Sequence, residues 1–266
     1  MSAHLEMPRT SRPSRFRQLA KKSRILRQAH WWFGFFREIP AEQLRDREKL
    51  NLILRAAPHS NCRFEKLSAL YDAASALGRE GVPGSFVECG VRNGGSAAVL
   101  AAVAARQPSR EVWLFDSWEG LPAPSACDVA WDGQKGYKGQ ALGYRERAER
   151  LLFGKMRLDP ARVHLVEGWF EATLPASASE LAPVALLNLD CDWYKSVEEC
   201  LEMLFPLVAP GGYIFVDDYQ YWQGCRKATD EFLEKHPRMH IQELSHGGGI
   251  FFRKIEPLAV SAAAHP

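Results

Sequence analysis

The strongest constraint on the fold is a regular alternation of short apolar runs with helical patterns between residues 85 and 256. Ala-rich or amphipathic segments separate runs that are typical of β-strands. Because strands that alternate with helices pair in parallel, the pattern predicts an α/β fold with a single doubly wound, mostly parallel sheet. The runs of this alternating part are Ser85–Gly90, Glu111–Asp116, Arg162–Gly168, Pro183–Asp190 and Gly212–Asp218.

The end of this region departs from the alternation. Two further strand-like runs, Met239–Leu244 and Gly249–Lys254, are joined by the turn-forming sequence SHGGG. Two strands that flank a short glycine-rich turn form an antiparallel hairpin. The sequence therefore predicts a Rossmann-like sheet of seven strands that closes with a C-terminal antiparallel hairpin.

The flanking regions have a different composition. Residues 1–37 carry nine Lys or Arg against one Glu and end in the cluster WWFGFF. We interpret this arm either as a solvated tail that docks by its aromatic residues, or as a lid, a dimer arm or a membrane-surface contact. Residues 38–84 are predicted to form a helical cap, residues 85–256 the core, and residues 257–266 a flexible tail.

Composition narrows the compartment and the partners. The formal charge of +2 gives no support for a nucleic-acid partner. The six cysteines are scattered, without C-x-x-C or zinc spacing, which is typical of core residues in a reducing compartment. No apolar run reaches the roughly 18 residues of a membrane span, and the first residues lack a signal-peptide pattern. We therefore expect a cytoplasmic protein. We also expect a homo-oligomer.

Acidic residues stand at or near the ends of several predicted strands. The carboxyl ends of parallel strands form the ligand-binding edge of an open sheet. If the fourth and fifth strands are neighbours, Asp190 lies close to Asp217 and Asp218. Three adjacent carboxylates repel one another unless a cation lies between them, and Mg²⁺ prefers oxygen ligands. The alternative is that these acids only begin solvent-exposed loops.

The first strand opens into a glycine-rich turn, in the sequence VECGVRNGGSA. Glycines allow a tight turn and a close approach of a ligand to the N-terminus of the next helix. The spacing G-x-x-x-G-G fits the dinucleotide fingerprint G-x-G-x-x-G poorly. Asp116, at the end of the second strand, is placed to accept hydrogen bonds from ribose hydroxyls. That position occurs in both NAD and S-adenosylmethionine binders.

Taken together, these motifs resemble the macrocin O-methyltransferase (TylF/MycF-like) family. The resemblance rests on GSFVECGVRNGGSA, LFDSWEGLPAP, VHLVEGWFEATLP, LNLDCDWYKS and LVAPGGYIFVDDYQYWQGCRKATDEF, in order, over roughly residues 50–254. It implies a class I methyltransferase fold and an S-adenosylmethionine- and Mg²⁺-dependent O-methyltransferase that acts on a sugar or other natural-product hydroxyl. Two alternatives stay open: a non-catalytic or metal-independent S-adenosylmethionine-binding relative, and a nicotinamide-dependent oxidoreductase, which the glycine spacing opposes.

The resemblance also implies site residues. The metal ligands would be Asp190, Asp217 and Asp218. The cofactor contacts would come from the glycine-rich turn, the end of the second strand and the segments after the third and fourth strands. These contacts are Glu88, Gly90, Arg92, Gly94, Ser96, Asp116, Ser117, Gly168, Trp169 and Asp190.

In the family that the chain resembles, the general base is a histidine of the loop after the second strand. The corresponding loop here, residues 117–139, contains no histidine, so the resemblance does not assign a base. Three replacements are predicted: Lys195, His246 and Asp192, with Asp128 and Asp132 as further candidates. Each of the three has a plainer interpretation: Lys195 pairs with a surface glutamate, His246 belongs to a turn, and Asp192 caps the next helix. Metal activation without a strong base is the remaining possibility.

Overall fold

The computed structural model of the protein describes residues 32–181, 183–245 and 249–255. Three predictions therefore concern residues outside the described ones. These are most of the N-terminal arm, the base His246 and the tail 257–266. Within the described part of the arm, residues 32–37 are helical, and Phe35 is buried against Phe64 with ring centroids 5.8 Å apart.

The described residues form a sheet of seven strands. The strands are β1 Ser85–Cys89, β2 Val112–Asp116, β3 Val163–Glu167, β4 Val184–Leu189, β5 Val208–Val216, β6 Gln242–Glu243 and β7 Ile250–Arg253. Their order in the sheet is β3-β2-β1-β4-β5-β7-β6. Strands β1 to β5 pair in parallel, and β7 runs antiparallel to both β5 and β6. The predicted doubly wound, mostly parallel sheet is confirmed.

Helices cover both faces of the sheet. The helices are α1 Arg47–Ala56, α2 Phe64–Glu80, α3 Gly95–Ala104, α4 Arg145–Glu149, α5 Phe170–Leu181, α6 Tyr194–Leu204 and α7 Gln223–Glu234. Alternate residues of one strand enter different cores: Phe86 joins the core with α1, α2 and α3, whereas Val87 joins the core with α5, α6 and α7. The cap region thus packs into the same hydrophobic core as one face of the sheet.

The closing hairpin has the predicted antiparallel pairing but a shorter first strand. Only Gln242 and Glu243 pair with β7, instead of the whole run Met239–Leu244. Both residues are exposed at the edge of the sheet. The side chains of residues 240–243 are exposed, so further pairing there would bury little surface and the strand stays short.

The helical segment between β2 and β3 begins late, well after the end of the long loop. It begins at α4 and continues as a π-helix over Arg150–Lys155. Gly143 explains the late start, because a Cβ there would lie 2.5 Å from the Cα of Arg92. This close approach fixes residues 140–144 as a connection packed on the glycine-rich turn. No helix among the described residues is long and apolar enough to cross a membrane.

Candidate active site

A cleft of about 680 Å³ opens at the carboxyl edge of the parallel strands. Its walls come from the end of β1, the loops after β2, β3, β4 and β5, and the segment before α2. This is the ligand edge that strand topology predicts. The sequence-predicted residues that line it are Gly90, Arg92, Ser96, Asp116, Ser117, Gly168, Trp169, Asp190, Asp192, Lys195, Asp217 and Asp218.

Two predicted cofactor contacts lie outside this lining. Glu88 is completely buried, and its Oε1 accepts a hydrogen bond of 2.6 Å from the hydroxyl of Ser96. Burial raises the pKa of Glu88 to about 8, so the protonated carboxyl predominates at neutral pH. Gly94 precedes α3 with φ of 85°, and a Cβ there would meet the backbone of Ala148 at 3.2 Å. Both residues therefore stabilise the glycine-rich turn without lining the cleft.

The turn after β1 is held by the carboxylate of Asp116. Its Oδ2 accepts from the backbone N–H of Arg92 and its Oδ1 from that of Trp118, each at 2.7 Å. Arg92 and Trp118 have positive φ values of 54° and 51°, which these hydrogen bonds help to stabilise. Burial raises the pKa of Asp116, and the two N–H donors oppose that shift. Each oxygen keeps a further lone pair for a ligand in the cleft.

Gly90 brings the ends of β1 and β4 together. Its φ is 94°, and a Cβ would lie 1.8 Å from the carbonyl oxygen of Asp190. Only glycine satisfies both the left-handed backbone and this approach. The glycine therefore places Asp190 beside the turn that Asp116 holds.

Three carboxylates converge beyond the ends of β4 and β5. These strands are neighbours, with Leu189 paired to Val216. One oxygen each from Asp190, Asp192 and Asp218 lies within 4.8 Å of the others. Burial raises the pKa of Asp190 and of Asp218 well above the usual range, and raises that of Asp192 to about 6. The cluster is thus an electrostatically costly arrangement that a cation would relieve.

Asp217, the third predicted ligand, lines the same cleft and takes part in an ion pair. Its Oδ1 lies 2.9 Å from the Nζ of Lys66, a completely buried residue of α2. Asp217 also groups with Asp190 and the thiol of Cys62, but sulfur is a poor ligand for a hard cation such as Mg²⁺. Sequence reasoning missed Lys66, although a lysine four residues before Leu70 on the apolar face of a helix was a readable signal.

Asp192 does not cap the helix after β4, as its position suggested. It adopts a positive φ of 59°, and its Oδ1 accepts from the indole Nε1 of Trp222 at 2.9 Å. The cap comes from the loop instead: Oδ1 of Asp128 accepts from the backbone N–H of Tyr194 at 2.8 Å. Asp128 was predicted as a candidate base, but the structure makes it the anchor between the long loop and α6.

We expect Asp128→Ala to lower the free energy of unfolding by about 1–3 kcal/mol. Asp128 is 3% exposed, and it also accepts from the backbone N–H and the hydroxyl of Ser125, each at 2.6 Å. Chemical denaturation measures the effect. The matched control is Asp132→Ala in the same loop, an exposed residue that accepts one hydrogen bond from Gln134. Equal stability of the two variants would contradict the anchoring role.

Lys195 lines the cleft but lacks the surroundings of a base. Its side chain is 66% exposed and lies 3.0 Å from Glu198 and 3.8 Å from Glu199. The hydrogen bond to Glu198 raises the pKa of Lys195, whereas a base needs a lowered one. The plainer interpretation, a surface ion pair, describes this residue.

Aromatic residues of the loop 117–139 have two conceivable roles, contact with an acceptor and anchoring of the loop. Trp118 anchors it, since the side chain is 9% exposed and its Nε1 donates to the carbonyl of Arg92 at 2.9 Å. Trp131 and Tyr137 are exposed and lie outside the cleft lining.

Comparison with known proteins gives the geometry its context. Residues 55–254 match the family described as macrocin-O-methyltransferase (TylF). The chain is 31% identical over 199 residues to the 8-demethyl-8-(2,3-dimethoxy-alpha-L-rhamnosyl)-tetracenomycin-C 4'-O-methyltransferase of Streptomyces olivaceus, covering 73% of this chain and 75% of that protein. It is 32% identical to the demethyldecarbamoylnovobiocin O-methyltransferase of Streptomyces niveus, covering 68% and 70%.

A solved structure agrees with these relatives. The O-methyltransferase NovP superposes with a TM-score of 0.63 at 27% identity, covering 74% of this chain and 83% of that chain. These matches do not support the nicotinamide-dependent alternative. The chain therefore belongs to the macrocin-O-methyltransferase (TylF) family, a family of O-methyltransferases.

Proposed function

We propose that this cleft transfers the methyl group of S-adenosylmethionine to a hydroxyl of a sugar or other natural product, with the help of Mg²⁺. The observation that carries the proposal is the meeting of two features in one cleft: the turn held by Asp116 and the cluster of Asp190, Asp192 and Asp218. Two relatives are named for the 4'-hydroxyl of a rhamnosyl compound and the 3''-hydroxyl of mycinamicin III, which supports a sugar acceptor.

The described residues fit S-adenosylmethionine. Asp116 offers carboxylate lone pairs suited to the ribose hydroxyls, and Trp169 supplies an aromatic wall suited to the adenine. Ser96 lines the cleft, and its hydroxyl donates a hydrogen bond to Glu88. This bond fixes the orientation of the Ser96 hydroxyl and therefore the direction of its oxygen lone pairs. The Nε of Arg92 is buried without a hydrogen-bond partner among the described residues, which leaves a donor for a polar ligand.

The residues also fit a divalent cation. The three carboxylates supply oxygen ligands in an arrangement that is repulsive when all of them are charged. When bound, Mg²⁺ supplies positive charge that acidifies and orients the acceptor hydroxyl. Because Trp222 holds Oδ1 of Asp192, that carboxylate is fixed in direction and adds rigidity to the set.

The reaction is an S_N2 displacement in which the acceptor oxygen bonds to the methyl carbon as the carbon–sulfur bond breaks. The proton of the acceptor hydroxyl would pass to solvent water that reaches the cleft, and S-adenosylhomocysteine would leave. The chain contributes chiefly by alignment: the Gly90 turn sets the distance between the cofactor side and the acidic side of the cleft. If Asp192 is a metal ligand, it does not act as the general base. The reaction rate then depends on acidification of the acceptor hydroxyl by the cation and on alignment of the two substrates, without a strong side-chain base.

The test is methyl transfer to glycosylated natural products, with and without a chelator. We expect turnover to disappear in the chelator and to return with added Mg²⁺ or Mn²⁺, because acceptor placement depends on the cation. Binding of S-adenosylmethionine, measured by calorimetry, should persist in the chelator. Full turnover without metal would support the metal-independent alternative. Cofactor binding without transfer to any acceptor hydroxyl would support the non-catalytic one.

A further inference from the structure

Tyr221 is an exposed aromatic residue in the lining of the cleft, and the reaction described above gives it no role. It follows the 3₁₀ turn Asp217–Gln220 after β5, and 43% of its surface is exposed. Among the described residues, the other exposed tyrosine and tryptophan side chains, Trp131, Tyr137 and Tyr144, lie outside that lining. Ligand clefts are lined by aromatic side chains with a few polar groups, so an exposed ring at this place is suited to cover a ligand.

Contacts with neighbouring residues fix the place of this ring. It packs edge-on against Trp222, with ring centroids 5.0 Å apart and ring planes at 83°. The backbone N–H of Tyr221 donates to the carbonyl of Asp218 at 3.0 Å, and its carbonyl accepts from the N–H of Trp131 at 3.3 Å. A side chain that is ordered before a ligand arrives loses little entropy on binding.

The same tryptophan connects the ring to the acidic cluster. Trp222 is 1% exposed, and its indole Nε1 donates to Oδ1 of Asp192 at 2.9 Å. One buried indole thus contacts both Tyr221 and a carboxylate of the proposed cation site. The position of the ring relative to that site is therefore set by packing inside the protein.

The chemistry of an aromatic face suits a sugar ring. The face of the tyrosine ring carries partial negative charge, whereas the C–H groups on one face of a pyranose are apolar and weakly positive. A pyranose that packs on Tyr221 keeps its hydroxyls at its edge, where they are free for polar contacts. Because Tyr221 stands three residues after Asp218, an edge hydroxyl can be turned toward the carboxylates.

We propose that Tyr221 is a specificity-determining residue, whose ring packs on the C–H face of the acceptor's sugar and directs one of the sugar hydroxyls to the acidic cluster. The inference rests on the proposed function and deepens it, because it names the side chain that distinguishes a glycosylated acceptor from a sugar-free one. The phenol hydroxyl has no part in this contact, so phenylalanine should serve equally well.

The test compares a glycosylated natural product with its sugar-free aglycone. Binding is measured by calorimetry on the protein loaded with S-adenosylhomocysteine and Mg²⁺, in which no methyl group is transferred. Tyr221→Ala should weaken glycoside binding about tenfold and raise the KM for the glycoside by a similar factor, with kcat within about threefold of the wild type. Tyr221→Phe should bind the glycoside within about twofold of the wild type, because the aromatic face is kept. Aglycone binding should be the same in all variants.

Tyr137 offers a matched control. It is a tyrosine of the loop 117–139, 60% exposed and outside the cleft lining. Tyr137→Ala removes a similar exposed ring and should leave glycoside binding at the wild-type level. Circular dichroism and S-adenosylmethionine affinity should match the wild type in Tyr221→Ala and Tyr137→Ala, so that a change in glycoside binding reports on the ring alone.

Three results would overturn the inference. Equal glycoside affinity of Tyr221→Ala and Tyr137→Ala would mean that the Tyr221 ring does not contact the acceptor. A loss in Tyr221→Phe as large as that in Tyr221→Ala would assign the contact to the phenol hydroxyl. A loss as large for the aglycone as for the glycoside would place the ring against the aglycone instead of the sugar.

Failure of the proposed function is recognised separately, because the wild type would then transfer no methyl group to any acceptor. Glycoside binding to the S-adenosylhomocysteine complex would still decide the role of Tyr221. Weaker binding by Tyr221→Ala than by Tyr137→Ala would support the inference, and a wild type that binds no glycoside would overturn it.

Discussion

Replacing Asp218 by asparagine is expected to lower methyl transfer about 10²- to 10³-fold, because a ligand of the proposed cation and one charge of its site are lost together. Asp218 follows β5 and contributes an oxygen to the cluster with Asp190 and Asp192. The amide keeps the size of the carboxyl group, so packing should be preserved. Turnover at saturating cofactor, with Mg²⁺ varied, measures the effect, and the loss should appear mainly as a requirement for more metal and as lower turnover.

The same variant should be at least as stable as the wild type without metal. Burial raises the pKa of Asp218 well above the usual range, with the charge of Asp192 adding to the shift, so its ionised form is disfavoured in the fold. A suitable control is Asp230→Asn on α7, which removes the charge that pairs with Arg226 at 3.5 Å. The amide oxygen can still accept the hydrogen bond that the hydroxyl of Tyr219 donates to Asp230 at 2.7 Å. Unchanged turnover in Asp218→Asn across all metal concentrations would exclude this residue from the site.

Replacing Asp116 by alanine is expected to weaken S-adenosylmethionine binding by roughly ten- to a hundredfold, the cost of about 1.5–3 kcal/mol for charge-assisted hydrogen bonds. The change removes the proposed acceptor for the ribose hydroxyls. It also leaves the backbone N–H groups of Arg92 and Trp118 without the carboxylate that holds the turn. Both effects act on the cofactor, so calorimetry with S-adenosylmethionine is the direct measurement.

Asp159→Ala is the matched control for Asp116. It removes another carboxylate that accepts from a backbone N–H in a turn, from Ala161 at 2.9 Å, at an exposed position away from the cleft. Wild-type affinity is expected there. If Asp116→Ala binds the cofactor as tightly as this control, Asp116 serves only the turn and the ribose contact must be assigned elsewhere.

Much of the fold could be predicted from the sequence, because strands and helices depend on local patterns of apolar and polar residues. The parallel strands and their order along the chain followed from apolar runs that alternate with helical patterns. The seven-stranded sheet and its closing hairpin were predicted correctly, whereas the length of β6 was not. Edge strands are decided by how much surface they bury, which alternation within the run does not reveal.

The candidate site also combines features that the sequence predicts with features that depend on tertiary contacts. The sequence by itself determined that acids end neighbouring strands, because a strand delivers the residue after it to the sheet edge whatever the rest of the chain does. Only the tertiary structure decided what each acid does there. Asp217 meets Lys66 of the cap, Asp192 meets Trp222, and Asp128 takes over the helix cap from a distant loop. These are contacts between residues far apart in the chain, and they are selected by burial, which makes an unpaired charge or an uncapped N–H costly. The periodicity of a single segment does not reveal which partner each acid contacts, because the partner belongs to a different helix, strand or loop.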